Sequence, residues 1–145
     1  MDNANGYGRA FPVILAVDDQ AETRELYALV LGQAGYEVVT VDGCARALET
    51  LRFCHFDLLL TDYRLGDGTG LELVQRAERE RLLTGTAVVL CTAESGLVVP
   101  QGVTVMHKPV PGEALTEVVG ACLRGDRRRR TERRGSLPSM AASLR

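Results

Sequence analysis

The sequence predicts an α/β fold on a doubly wound, five-stranded parallel sheet, and three observations carry that expectation. Short apolar runs such as Val13-Ile14-Leu15-Ala16-Val17 and Leu58-Leu59-Leu60 read as strands buried on both faces, as in parallel sheets. Such runs alternate with helix-period segments from residue 13 to residue 123, the pattern of βαβ units. Two of the runs stop on acids, Asp18-Asp19 and Asp62, and sheets of this kind place their chemistry at the carboxyl ends of strands.

The first strand is Val13 to Val17. A helix follows from about Ala21 to Ala34, where Leu26, Leu29 and Val30 fall at helical spacing and Gly35 is a stop signal. Glu37 to Val41 is the second strand, Cys44 to Arg52 a short helix through Ala45, Leu48 and Leu51, and Asp57 to Thr61 the third strand. Gly66-Asp67-Gly68-Thr69-Gly70 reads as a flexible turn before a helix from about Leu71 to Leu83. Ala87 to Cys91 is the fourth strand and Val103 to Met106 the fifth. The last helix runs from about Glu113 to Leu123. Only the ten residues Ala93 to Gly102 join strands four and five. A parallel crossover with its helix takes at least ~10 to 12 residues, so the fourth helix is expected to be shortened or absent.

A length of 145 residues suits one domain, and 46% hydrophobic with 25% charged residues is a soluble, globular composition. No uncharged apolar stretch nears the ~18 residues of a membrane span, and the start lacks the basic and apolar regions of a signal peptide. A cytoplasmic location is expected. Cys44, Cys54, Cys91 and Cys122 are too irregularly spaced for a zinc site and read as reduced thiols. Charge divides the chain: residues 1–123 carry 17 acidic and 9 basic side chains, residues 124–145 carry 2 and 8. We expect an N-terminal extension at 1–11, a folded domain at 12–123, and a basic tail at 124–145 in which a helical extension fades into disorder. The tail has no interleaved aromatics and no DNA-binding motif, so specific nucleic-acid binding is not expected of it.

Four features fall at the carboxyl ends of expected strands: Asp18-Asp19, Asp62, Thr92 and Lys108-Pro109. In a 2-1-3-4-5 sheet, strands one and three are neighbours where the winding reverses, so their acids meet. Clustered carboxylates repel, and are tolerated where a hard cation such as Mg²⁺ neutralises them or where one acts as a nucleophile. Lys108 is the only lysine beside 16 arginines, a point charge suited to a phosphoryl oxygen. Each feature has a plainer explanation when taken alone. Asp19 with Glu22 matches a capping box, Asp62 can cap a turn, Thr92 can be a loop hydroxyl and Lys108 a solvated charge. Their joint placement favours one site.

In these residues the chain resembles the response-regulator receiver domain of two-component signalling, over roughly residues 12 to 123. The segment Asp62-Tyr63-Arg64-Leu65-Gly66-Asp67-Gly68-Thr69-Gly70 is especially similar to receivers of hybrid sensor kinases. The resemblance implies a flavodoxin-like fold of strand order 2-1-3-4-5. It makes Asp62 the phosphoacceptor, with Mg²⁺ on Asp18, Asp19, Asp62 and the backbone carbonyl of Arg64. Thr92 would hydrogen-bond the phosphoryl group, Lys108 would pair with it, and Lys108-Pro109 would be a cis peptide. Arg64 and Glu94, each two residues beyond a site residue, are expected to pair over the site and tune phosphoryl lifetime. The function implied is a single-domain response regulator. It would be phosphorylated by a sensor histidine kinase or a histidine phosphotransfer protein, and would signal to a downstream protein as a switch rather than as an enzyme.

The chain departs from the family pattern in two places. It has Val105 where an aromatic residue usually precedes the lysine by three, and it has the short Ala93–Gly102 segment. Output through another surface, or through Leu97-Val98-Val99-Pro100, is therefore expected. A pseudo-receiver used only for docking is the main alternative, with the five intact site residues against it. An aspartyl phosphatase would need a second acid where Arg64 stands. A flavin protein would need a hydroxyl-rich loop in place of Asp18-Asp19-Gln20. A receiver excised from a longer kinase is the remaining alternative.

Overall fold

Five parallel strands in the order β2-β1-β3-β6-β7 form the central sheet of the computed structural model, which describes residues 11–135, with side chains through residue 125. The strands are β1 (Val13–Val17), β2 (Glu37–Val41), β3 (Leu58–Asp62), β6 (Ala87–Thr92) and β7 (Val103–His107); β4 (Arg64–Leu65) and β5 (Gly68–Thr69) form a separate small hairpin. Counting only the strands of the sheet, the order is the expected 2-1-3-4-5. The helices are α1 (Ala21–Gln33), α2 (Cys44–Phe53), α3 (Gly70–Arg79) and α4 (Gly112–Gly135).

Every residue of β1 and β3 is buried, as their unbroken apolar runs require. Alternate side chains feed two cores. Leu15, Val17 and Leu59 pack with α2 and α3 through Leu48, Leu51, Leu73 and Val74. Ile14, Leu58, Leu60 and Val89 pack with α1 and α4 through Leu31, Leu115 and Val119. Each such buried aliphatic chain contributes about 1.5–3 kcal/mol of transfer free energy. α1 ends where Gly35 takes a φ of 101°, and the Tyr36 N–H returns to the Leu31 carbonyl at 3.1 Å. Only a glycine fits at position 70, because a Cβ there would lie 2.4 Å from the Asp62 carbonyl oxygen. That close approach sets α3 directly against the end of β3.

Several boundaries differ from expectation. Asp62, Thr92 and His107 are the last residues of their strands rather than the first beyond them, since each continues the backbone ladder. The expected flexible turn at 66–70 is organised by the β4–β5 hairpin, in which Arg64 pairs with Thr69 and Leu65 with Gly68. α3 stops at Arg79, not Leu83, because Arg81 takes a left-handed φ of 61° and the Leu82 N–H turns back to the Ala77 carbonyl. Between β6 and β7 there is no helix. Gly96 and Gly102 adopt positive φ, and Val98 is 89% exposed. α4 starts at Gly112 rather than Glu113 and runs to Gly135, into the segment where a helical extension is expected. Residues 1–10 of the expected extension and 136–145 of the expected tail lie outside the described residues. No helix among the described residues is long and apolar enough to cross a membrane.

Candidate functional site

Strand register assembles the site. Val17 of β1 pairs with Thr61 of β3, so Asp18 and Asp62 emerge side by side, with Asp19 next to them. Asp62 pairs with Cys91 and Thr92 with His107, which brings Thr92 and Lys108 to the same rim; the Lys108 N–H donates to the Thr92 carbonyl at 2.8 Å. One carboxylate oxygen from each of Asp18, Asp19 and Asp62 lies within 4.8 Å of the others. Asp18 and Asp62 are buried and Asp19 is exposed. All the residues singled out in the sequence thus meet at one end of the sheet.

The electrostatics are those of a charge cluster short of cations. Burial pushes the Asp18 carboxyl above its ordinary value, and the negative charges of Asp62 and Asp19 add to this, against the Gln20 N–H bonded to Oδ1 at 2.9 Å. The other oxygen, Asp18 Oδ2, is buried with no hydrogen-bond donor, and the Lys108 ammonium stands 4.0 Å away. Lys108 Nζ instead binds Asp62 Oδ1 at 2.9 Å. Burial pulls the Lys108 pKa down, but the hydrogen bond to Asp62 and the carboxylate charges outweigh it, so the amine is held above its usual value. An orphaned buried carboxylate oxygen, facing two further carboxylates, fits a small divalent cation with all-oxygen ligands.

Thr92 is buried, and its Oγ1 accepts the Glu94 N–H at 2.9 Å, leaving the hydroxyl proton to donate. The expected pair is formed: Arg64 Nε donates to Glu94 Oε2 at 2.6 Å, and Nη2 contacts the same oxygen. The Arg64 guanidinium also lies 5.7 Å from the centre of the Tyr63 ring. Asp62, Arg64, Thr92, Glu94 and Lys108 share a recess of about 100 Å³. A larger, more open hollow of about 610 Å³ lies between α1 and α4, away from the aspartates. The Lys108-Pro109 peptide is cis.

The plainer explanation of Asp19 is not what the structure shows. The N-cap of α1 is Gln20, with no side-chain cap bond, whereas the capping box belongs to Thr69 and Glu72 at α3. That second box is legible in the sequence as Thr-x-x-Glu. Arg24, whose Nη1 donates to the Asp18 carbonyl at 2.8 Å, carried no comparable signal. Beneath the site Cys91 is buried, and burial pushes its thiol up to about 11, which makes it an inert packing group rather than a nucleophile.

Comparison with known proteins agrees with this geometry. The family model described as the response regulator receiver domain matches residues 14–119. The chain is 35% identical over 81 residues to the phosphate regulon transcriptional regulatory protein PhoB of Pseudomonas aeruginosa, covering 56% of this chain and 35% of PhoB. It is 36% identical over 115 residues to the response regulator protein PilR of the same organism, covering 76% of this chain and 26% of PilR. The chain thus spans about a third of the first of these curated relatives and about a quarter of the second. Among solved structures, a receiver domain protein of Methanospirillum hungatei superposes with a TM-score of 0.74 at 25% identity, over 83% of this chain and 99% of that one.

Proposed function

Because this chain belongs to the response regulator receiver family, we propose that Asp62 accepts a phosphoryl group from a phosphohistidine of a sensor histidine kinase or a histidine phosphotransfer protein. The observation that carries this reading is the convergence of three carboxylates on a buried, unpartnered Asp18 oxygen beside the lone lysine. Asp18, Asp19, Asp62 and the Arg64 carbonyl would hold Mg²⁺, and the ion would supply positive charge to the phosphoryl oxygens and the attacking carboxylate.

The chain's own groups do the rest. The Asp62 carboxylate attacks directly: its oxygen bonds to phosphorus as the phosphorus–nitrogen bond to the donor imidazole breaks. Lys108, already 2.9 Å from Asp62, turns its ammonium to a phosphoryl oxygen, and the Thr92 hydroxyl donates to another. Arg64 and Glu94 close the recess over Asp62 and limit the approach of hydrolytic water. The protein acts as a phosphorylatable cytoplasmic switch whose output is contact with another protein. The test is intact-mass analysis after incubation with a small phosphodonor. Wild type should gain one acid-stable, base-labile phosphoryl adduct in the presence of Mg²⁺, and Asp62→Asn none. An equal adduct on Asp62→Asn would contradict the assignment.

A further inference from the structure

The segment between the end of β3 and the start of α3 is fastened at several points, and the firmest of those outside α3 reaches a distant helix. Beyond Asp62 and Tyr63, Arg64 and Leu65 form β4, Gly66 and Asp67 make the turn, and Gly68 and Thr69 return as β5. Thr69 is tied to α3 by its capping box with Glu72. At the tip, the two oxygens of Asp67 accept the N–H groups of Cys44 at 2.8 Å and Ala45 at 3.0 Å, which open α2. The N-cap of α2 is Gly43, which has no side chain to satisfy those donors. Asp67 therefore caps a helix from more than twenty residues away, with its charge against the positive end of the helix. The donated bonds from Cys44 and Ala45 hold its carboxyl below the usual carboxylate range.

Gly43 is fitted to this clasp. Its φ of −175° is extended backbone open to any residue, yet a Cβ there would lie 2.8 Å from Asp67 Oδ1 and 3.1 Å from its Cγ. A side chain at 43 would therefore push the Asp67 carboxylate aside, so sterics, rather than backbone conformation, favour glycine there while the clasp is closed. Without the clasp, the hairpin turn would be anchored by the capping box at Thr69, by the Cys44 thiol donating to the Thr69 carbonyl at 3.5 Å and by the exposed Arg64–Glu94 pair.

We infer that Asp67 is a positioning residue for the phosphoacceptor site. By clasping the β4–β5 hairpin to the start of α2, it fixes the backbone of Arg64, whose carbonyl would join the three aspartates as a ligand of the ion. The inference rests on the reading of that carbonyl and the three aspartates as a Mg²⁺ site. Groups that orient a metal ligand without touching the metal commonly alter affinity 10- to 100-fold. Asp67 acts through three residues of backbone, so a smaller effect, about fivefold, is expected.

The experiment compares wild type with Asp67→Ala, Asp67→Asn, Gly43→Ala and the double variant Gly43→Ala/Asp67→Ala, by amide exchange in metal-free protein and by calorimetric titration with Mg²⁺. Asp67→Ala should speed exchange at Cys44, Ala45 and residues 64–69, leave the strands protected, and weaken Mg²⁺ binding about fivefold. Asp67→Asn, which keeps one acceptor oxygen, should lose less. Gly43→Ala should reproduce the Asp67→Ala result by displacing the carboxylate, and the double variant should be no worse than Asp67→Ala alone, since the clash has lost its partner. Faster exchange at Cys44 and Ala45 with unchanged Mg²⁺ affinity in Asp67→Ala would overturn the inference, and so would additive losses in the double variant. If wild type bound no Mg²⁺, the functional reading itself would fall, and the inference with it.

Discussion

The two crossovers that flank Asp62 are built in opposite ways. From β3 to β6 the chain makes a hairpin and a helix, and places Leu65, Leu73, Val74 and Ala77 in the core. From β6 to β7 it makes neither, and leaves Val98 exposed to solvent. Both deliver site residues to the same rim: Asp62 and Arg64 from the first, Thr92, Glu94 and Lys108 around the second. The site therefore has one side held by packing and another held by backbone ladder bonds and side-chain pairs. The difference teaches where a switch can reside. Buried contacts make the carboxylate side costly to move, whereas the side of Thr92 and Lys108 borders a segment with little to lose by rearranging.

The largest expected effect breaks or keeps this contrast directly. Amides of residues 93–102 should exchange at least about a hundredfold faster than those of Leu73, Val74 and Ala77 in α3. Phosphorylation of Asp62 should change protection across 93–106 and leave 73–77 as they were; an unchanged 93–106 segment would locate the output elsewhere. A smaller effect concerns the packed side, where burial and the neighbouring carboxylates oppose the charged form of Asp18. Its folded pKa is raised, so the metal-free protein loses stability as pH rises from the ordinary carboxylate value through the raised one, and bears the full penalty above it. Asp18→Asn should thus stabilise the metal-free protein at neutral pH, read as a higher melting temperature. A lower melting temperature would mean that the carboxylate cluster is not strained. The smallest effect is at the lip of the recess. The Arg64 side chain is 74% exposed, so Arg64→Ala should change stability by no more than about 1 kcal/mol while altering the rate of dephosphorylation severalfold. Equal dephosphorylation rates would reduce the pair to a surface contact.

How much of this was legible depends on whether the signal was local. The strands of the sheet could be read because burial on both faces forces unbroken apolar runs, as in Ile14 to Val17 and Leu58 to Leu60. Asp18, Asp62, Thr92 and Lys108 could be placed together because parallel strands put all their carboxyl ends on one rim, so a one-dimensional pattern predicts a three-dimensional neighbourhood. The missing fourth helix followed from chain length alone. What escaped was what depends on partners distant in sequence. Gly66-Asp67-Gly68 reads as a flexible turn by itself, and nothing near it reveals that its acid caps α2 or that Gly43 exists to admit it. The early stop of α3 depends on a left-handed Arg81, a residue with no intrinsic preference for that conformation.

The central claim is that the aspartates at the rim form a divalent-cation site on which Asp62 depends, and it can be tested without a kinase or a phosphodonor. Mg²⁺ should be titrated into wild type and into Asp18→Asn by calorimetry at neutral pH. Wild type should bind at a single site, and Asp18→Asn at least about tenfold more weakly, because one of three converging carboxylates has lost its charge. Equal binding by the two proteins, or none by wild type, would contradict it.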